Sequence, residues 1–212
     1  MDHQPGPGLP AKKKARDRLI RLAQRHPDWV LGFQDEVWWS RLARPGLHAW
    51  SDGEPIRLHE PPADAEDLAP KALACYGLLR GDTGGMMLRF VAGRPVSQVT
   101  EDFLAWSCQR LAAEGKRASL LIWDNASWHV SARVRSWIKA HNRRAKAQGG
   151  VRIIACYLPI KAPWLNAIEP KWVHGKRAIV EPDRKLTAAE VVERVCGYYG
   201  CDRLDPISQH VT

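Results

Sequence analysis

Apolar positions along the chain change their spacing several times, and each change marks an element. Residues 29–43, WVLGFQDEVWWSRLA, are rich in Trp, Val and Phe and predict a strand or a hairpin. Two more strand-length runs follow, KALACYGLL at 71–79 and MMLRFVA at 86–92, and the RGDTGG between them is a tight-turn signal. From 97 to 114 the spacing becomes helical. Val99, Phe103 and Trp106 lie on one stripe, Leu104, Cys108 and Leu111 lie beside it, and Gly115 is placed to cap the end. ASLLIWD, 118–124, is a continuous apolar run of strand length, the pattern of a buried parallel strand.

Ser131 then offers an N-cap for a helix over 132–147, with Val134, Trp137, Ile138 and His141 at helical spacing and Gly149-Gly150 at its end. VRIIACYL, 151–158, predicts a second buried strand. A Pro-punctuated loop leads into a helix over about 166–178, and Thr187-Ala-Ala-Glu190 is a capping box that opens a last helix through about Tyr199. At the front of the chain, residues 1–10 are rich in Pro and Gly and read as disordered, and 11–26 read as a basic helix stopped by Pro27. Residues 44–70 hold five prolines and read as a loop with one short strand at most. A meander of strands followed by helix, strand, helix, strand, helix gives an α/β fold, a mixed sheet flanked by helices. No internal repeat of 20–50 residues is visible.

The 212 residues are 45% hydrophobic and 26% charged, as in an ordinary folded domain. A disordered chain, a collagen-like chain and a small disulfide scaffold are excluded. No run of 18 apolar residues is present, so no membrane partner is expected, and no secretory leader is recognisable. The cysteines Cys75, Cys108, Cys156, Cys196 and Cys201 are odd in number and lack C-x-x-C spacing. They predict buried, reduced thiols in a cytoplasmic protein, not zinc or a disulfide framework. Lys plus Arg total 32 against 23 Asp plus Glu, a net charge of +9, which favours a polyanionic partner with nucleic acid first.

That charge is uneven. Residues 11–26 carry Lys12, Lys13, Lys14, Arg16, Arg18, Arg21 and Arg25 against Asp17 alone, whereas 52–67 carry six acids against Arg57. Residues 125–168 hold no acid at all, but Arg133, Arg135, Lys139, Arg143, Arg144, Lys146, Arg152 and Lys161. Such a stretch favours a phosphate-facing surface over a mixed solvated one.

Three carboxylates fall where the pattern ends a strand or begins a helix: Asp35 in FQDE, Asp124 closing LLIWD, and Glu169 opening the helix after VRIIACYL. Strand ends in an open α/β sheet lie side by side, so these three can converge. Three gathered carboxylates repel one another unless a cation sits among them. Two Mg²⁺ ions would suit oxygen donors and leave room for water and phosphate. Each residue also has a plain structural reading. Asp35 is a strand-edge acid beside Glu36, Asp124-Asn125 a turn or cap, and Asn166-x-x-Glu169 a capping box with Asn for Ser.

The blocks LLIWDNASWH and LPIKAPWLNAIEPKWVHGKR resemble the second and third acidic blocks of the mariner-like bacterial insertion-sequence transposases of the DDE superfamily, and Phe33-Gln34-Asp35-Glu36 resembles the first. The likeness covers about residues 28–200. It implies an RNase H-like fold with divalent-metal-dependent DNA cleavage and strand transfer at transposon ends. Asp35, Asp124 and Glu169 match the catalytic, metal-binding triad, with two Mg²⁺ as the expected ions and Mn²⁺ as a substitute. Asn125, His129 and Asn166 match supporting polar positions, for which cap and packing roles are the alternative. The cations expected on DNA are Arg133, Arg135, Lys139, Arg143, Arg144, Lys161, Lys171, Lys176 and Arg177.

Two departures stand out. The third block reads Asn166-Ala167-Ile168-Glu169 where the family has Asn-Pro-Ile-Glu, and the lost Pro is expected to loosen the helix start by under about 1 kcal/mol. Only about 27 residues precede the first strand, too few for the family's helix-turn-helix region. The expected organisation is a disordered and basic segment at 1–27, an RNase H-like catalytic domain at 28–200 and a tail at 201–212. This is a catalytic half, either truncated or partnered by a separately encoded N-terminal half, acting at the nucleoid as a homodimer when two DNA ends are synapsed. The competing readings are an inactive DNA-binding remnant and an RNase H-like nuclease for another nucleic acid. Trp38, Trp39, Trp128, Trp164 and Trp172, near the acidic blocks, are expected to pack the core or line the site more than to stack on bases. His174, five residues after Glu169, is left out of the metal set, and GDTGG reads as a hairpin turn with no helix behind it.

Overall fold

The chain opens with helix α1 (Leu9–Ala23) and then lays down β1 (Trp29–Ser40), β2 (Ala72–Arg80) and β3 (Met86–Ala92) as an antiparallel meander. Helix α2 (Ser97–Ala113) crosses back to β4 (Ala118–Trp123), and α3 (Ala132–Gln148) crosses to β5 (Arg152–Tyr157). β4 pairs parallel with β1, and β5 pairs parallel with β4. A 3₁₀ turn (Pro163–Leu165), helices α4 (Glu169–Ile179) and α5 (Ala188–Tyr199) and the two-residue β6 (Ile207–Ser208) complete the chain. The strand order is β5-β4-β1-β2-β3-β6. The structure is a computed structural model describing residues 9–43, 67–160, 162–181 and 183–208. Among these residues a mixed sheet of six strands is flanked by five helices, as the resemblance implies.

Alternation along the strands divides the core into two layers. Phe33, Val37, Trp39, Cys75 and Leu79 face α4 and α5, where they meet Trp172, Ile179, Val191 and Val195. Val30, Ala74, Tyr76 and Leu78 face α2 and α3, where they meet Val99, Phe103, Leu111, Val134 and Ile138. β4 is buried along its whole length, as its unbroken apolar run requires. Helix α1 packs against β1, β4 and β5, with Leu19 and Ile20 against the first layer. It starts within the stretch expected to be disordered; residues 1–8 lie outside the described residues.

The helix signals in the sequence have physical counterparts. Ser131 accepts from the Val134 N–H, and Gly149 closes α3 at φ +76°. Thr187 and Glu190 form the reciprocal capping box of α5, which ends at Gly200 with φ +65°. The RGDTGG segment turns β2 into β3, with Arg80 paired to both Asp82 and Glu114. At the sheet edge, the Asn142 side chain on α3 donates to the Ile153 carbonyl (2.8 Å) and accepts from its N–H (2.7 Å), filling the place a further strand would take on β5.

Three expectations are corrected. The helix expected from about 166 begins at Glu169, because the 3₁₀ turn and Asn166 occupy the preceding residues. The Pro in its first turn is Pro170, so Ala167 lies ahead of the helix and does not loosen it. The segment 201–212, expected as a tail, contains β6, which pairs with β3; two residues of strand without a turn signal leave no periodicity to read. The single strand or hairpin over 29–43 resolves to one strand, and 44–66 of the expected loop lie outside the described residues. Among the described residues no helix is long and apolar enough to cross a membrane. Thr187→Ala removes one half of the α5 capping box and is expected to lower stability by about 1 kcal/mol in urea unfolding.

Candidate active site

β1 and β4 run parallel and side by side, with Phe33 opposite Ile122. Two residues further along, Asp124 stands just past the last residue of β4, and Asp35 stands inside β1 and not at the strand end expected for it, so the register itself sets these two acids level. The third comes from the next connection. After β5 the chain turns through Pro163–Leu165, and buried Asn166 donates from Nδ2 to the Gln34 carbonyl on β1 (3.0 Å). That bond fixes the start of α4 against β1 beside Asp35, and Glu169 is the first residue of α4. Asn166 therefore ties loop to strand and does not cap the helix. The N-cap position is Ile168, which supplies no side-chain bond.

Asp124, Asn125, Asn166 and Glu169 line a cavity of about 280 Å³ together with Leu158, Pro159, Ile160, Ala162 and Pro163. Asn125 donates to the Leu158 carbonyl and holds the cavity wall to the end of β4. Asp35 is not among the residues lining the cavity; the indole N–H of Trp172 donates to Asp35 Oδ2 (3.1 Å). Space for that indole exists because residue 77, opposite Asp35 on β2, is glycine. A Cβ there would stand 2.4 Å from Trp172 Cη2.

Alternation sends Glu36 to the other face of the sheet, where it is buried against α3's approach. Its carboxylate accepts from Gln34 Nε2 (2.7 Å) and Trp128 Nε1 (3.1 Å), and it lies 2.8 Å from His129 Nε2. The other ring nitrogen, Nδ1, lies 2.7 Å from Asp124 Oδ1, which also accepts from the Ala126 N–H. Carboxylates accept and do not donate, so an imidazole between two of them donates from both nitrogens and carries a positive charge. Sequence reasoning placed His129 near the site but missed Glu36 as its partner. The signal was the DE pair itself, because neighbours on a strand cannot both face one cavity.

The electrostatics follow from this layout. Burial, then the charges of Glu36, Glu169 and Asp124, push the Asp35 carboxyl up to about 8, against the downward pull of a backbone bond. Burial and the Asp124 charge raise Glu169, with Lys176 opposing. Burial alone would lower His129, but the Glu36 charge and the bonds to Asp124 and Glu36 outweigh it and lift the ring to about 9. Asp124 runs the opposite way: burial would raise it, and the bonds from His129 and Ala126 hold it below the usual carboxylate range. Three oxygen donors that resist sharing negative charge fit a hard divalent cation. They are not drawn onto one point, for among the described residues no group of three His, Cys, Asp or Glu is close enough to hold an ion.

The cations expected on DNA fall into separate places. Arg133 is held by Glu101 in a two-pronged pair at 2.9 and 3.0 Å. Arg135 and Arg144 are exposed on α3. Lys139 and Arg143 line a groove between α3 and β5 with Asn142, Lys146 and Arg152, apart from the carboxylate cavity. Lys171, Lys176 and Arg177 are exposed on α4, the helix that carries Glu169. Lys161 lies outside the described residues. Of the tryptophans, Trp39 and Trp172 are buried, while Trp38 and Trp164 are exposed.

A family model described as DDE superfamily endonuclease matches residues 78–191, a span that includes Asp124 and Glu169 and begins after Asp35. Among solved structures, the Mos1 transposase paired-end complex with left transposon end superposes with a TM-score of 0.61 at 14% identity, over 96% of this chain and 58% of that one. The Mos1 mariner paired-end complex with Mn gives 0.61 at 14% identity, over 95% and 57%. The catalytic domain of Mos1 mariner transposase gives 0.58 at 12% identity, over 96% of this chain and 86% of that one. The chain thus spans under two thirds of the chains in the paired-end complexes and most of the catalytic domain. At these identities the likeness is one of fold, and that fold is the RNase H-like transposase catalytic domain. No curated protein sequence matches the chain.

Two outcomes follow from the site. Gly77→Ala forces the Trp172 indole away from Asp35 and is expected to lower stability by about 1–3 kcal/mol in urea unfolding. The raised Asp35 carboxyl makes the folded chain hold a proton that the unfolded chain has released, so stability falls as pH rises from about 4 to 8. Asp35→Asn removes that penalty. In the absence of divalent cations it is expected to stabilise the protein at pH 7 by on the order of 1–2 kcal/mol, with the gain vanishing below about pH 4 in thermal melts across that range.

Proposed function

The chain belongs to the DDE superfamily of endonucleases, and on that premise we propose that it cuts DNA at transposon ends and joins the ends to a target, with Asp35, Asp124 and Glu169 as its metal-binding carboxylates. The observation that carries this reading is the placement of Asp35 and Asp124 at matched positions on adjacent parallel strands, with Glu169 brought beside them by the Asn166–Gln34 bond. Divalent cations of the Mg²⁺ class, with Mn²⁺ as substitute, would neutralise these carboxylates and sharpen a water or a 3′-hydroxyl as nucleophile.

The protein's own groups do the rest. Trp172 holds Asp35 Oδ2 by its indole N–H, so that carboxylate keeps one orientation. His129 and the Ala126 N–H occupy Oδ1 of Asp124, turning the other oxygen to the cavity. Asn125 and Asn166 keep the cavity wall in register with the strand ends. Lys171, Lys176 and Arg177 on α4, and Lys139, Arg143 and Arg144 on α3, supply positive surface for the phosphate backbone of DNA. Residues 28–200 act as the catalytic body, and the synapsed complex pairs two copies.

Cleavage of duplex DNA carrying transposon ends, with Mg²⁺ or Mn²⁺ supplied, tests this reading. Nicking is expected in the wild type and none in Asp124→Asn or Glu169→Gln, with DNA binding retained in both variants. A wild type that binds DNA but fails to cut it with any divalent cation would make the chain a DNA-binding remnant. Preference for an RNA–DNA hybrid would assign it to another nucleic acid.

A further inference from the structure

We propose that Glu36 is a positioning residue for Asp124, acting through the buried imidazole of His129 to aim one carboxylate oxygen at the cavity. The proposal rests on the metal-site reading above and adds a residue that lies on the opposite face of the sheet from Asp35.

Asp124 needs such an anchor. It follows the last residue of β4, its side chain is half exposed, and nothing in the strand ladder fixes its rotamer. A metal-binding carboxylate that samples several rotamers must be ordered each time an ion binds. The anchor is His129, which is fully buried. Its ring stacks on Trp123 with centroids 4.6 Å apart and planes 19° apart, and meets Trp128 edge-on at 6.0 Å. Packing therefore sets the plane of the imidazole, but not its position within that plane.

Glu36 supplies the missing constraint. Its oxygens are held on three sides: Oε1 by Gln34 and His129, Oε2 by Trp128. A carboxylate held this way cannot swing, so the 2.8 Å contact to Nε2 pins the ring along the Nε2–Nδ1 direction and delivers Nδ1 to Asp124 Oδ1 at 2.7 Å. With Oδ1 taken by Nδ1 and by the Ala126 N–H, Oδ2 is the oxygen left for a ligand; among the described residues no donor reaches it. The order carboxylate, imidazole, ligating carboxylate fixes a ligand from outside its own coordination shell.

The experiment is Mn²⁺ binding to the full chain, read from free Mn²⁺ by electron paramagnetic resonance, with circular dichroism to establish folding. Glu36→Ala is expected to weaken Mn²⁺ binding by about 10–100-fold. Glu36→Gln, whose amide oxygen still accepts from His129, is expected to recover most of it. A folded Glu36→Ala with wild-type Mn²⁺ affinity overturns the proposal and leaves the metal-site reading intact. Should Glu36→Ala not fold, Glu36→Asp is read in its place: its shorter side chain withdraws from Nε2, so weakened binding supports the proposal and unchanged binding overturns it. A wild type that binds no Mn²⁺ overturns both readings.

Discussion

The charge on Asp35 is the constraint around which the carboxylate end of the sheet is organised. The group is largely buried, with Glu36 next in sequence and Glu169 and Asp124 nearby, and together these hold its carboxyl far above the ordinary range. Folding stability alone would select a neutral residue there. The protein instead spends a glycine at position 77 and a tryptophan at 172 to keep the acid in one orientation. On the proposed reading, positive charge entering among these carboxylates would relieve that cost and so would couple stability to cation affinity.

The two acids of the DE pair divide the work of the strand. Asp35 is turned towards the layer of α4 and α5, and Glu36 towards the layer of α2 and α3. Both still act at one locus, because His129 returns the influence of Glu36 to Asp124 around the end of β4. The β1–β4 register therefore does more than pair backbones: it sets two carboxylates level and leaves a third on the reverse side as their support.

Much of this was legible in the sequence where one local cause dominates. Ser131, Thr187 and Glu190 announced their helices through capping chemistry, and the unbroken apolar run of β4 announced a strand buried on both faces. Asp124 and Glu169 stand at element ends, as the pattern suggests, whereas Asp35 stands inside β1. What escaped depends on contacts between distant segments. Asn166 reads as a cap because Asn often is one, yet its partner is the Gln34 carbonyl, 132 residues away. Gly77 reads as a blemish in a strand until Trp172 is seen to fill its space. The N-terminal helix was legible as a helix, but not its packing across three strands. Lys12 and Arg16 reach from it to the carbonyls of Leu158 and Leu165 on the loop before Glu169. Nor does a run without acids reveal that Arg133 is already paired to Glu101.

The Asn142 side chain on β5 has a consequence for how copies of this molecule meet. By occupying both backbone groups of Ile153, it blocks one rung of the strand edge along which a second sheet would pair. On the opposite edge β6 offers only two residues, too short a rail for a second sheet to follow. A second copy pairing along β5 would first have to displace the Asn142 side chain.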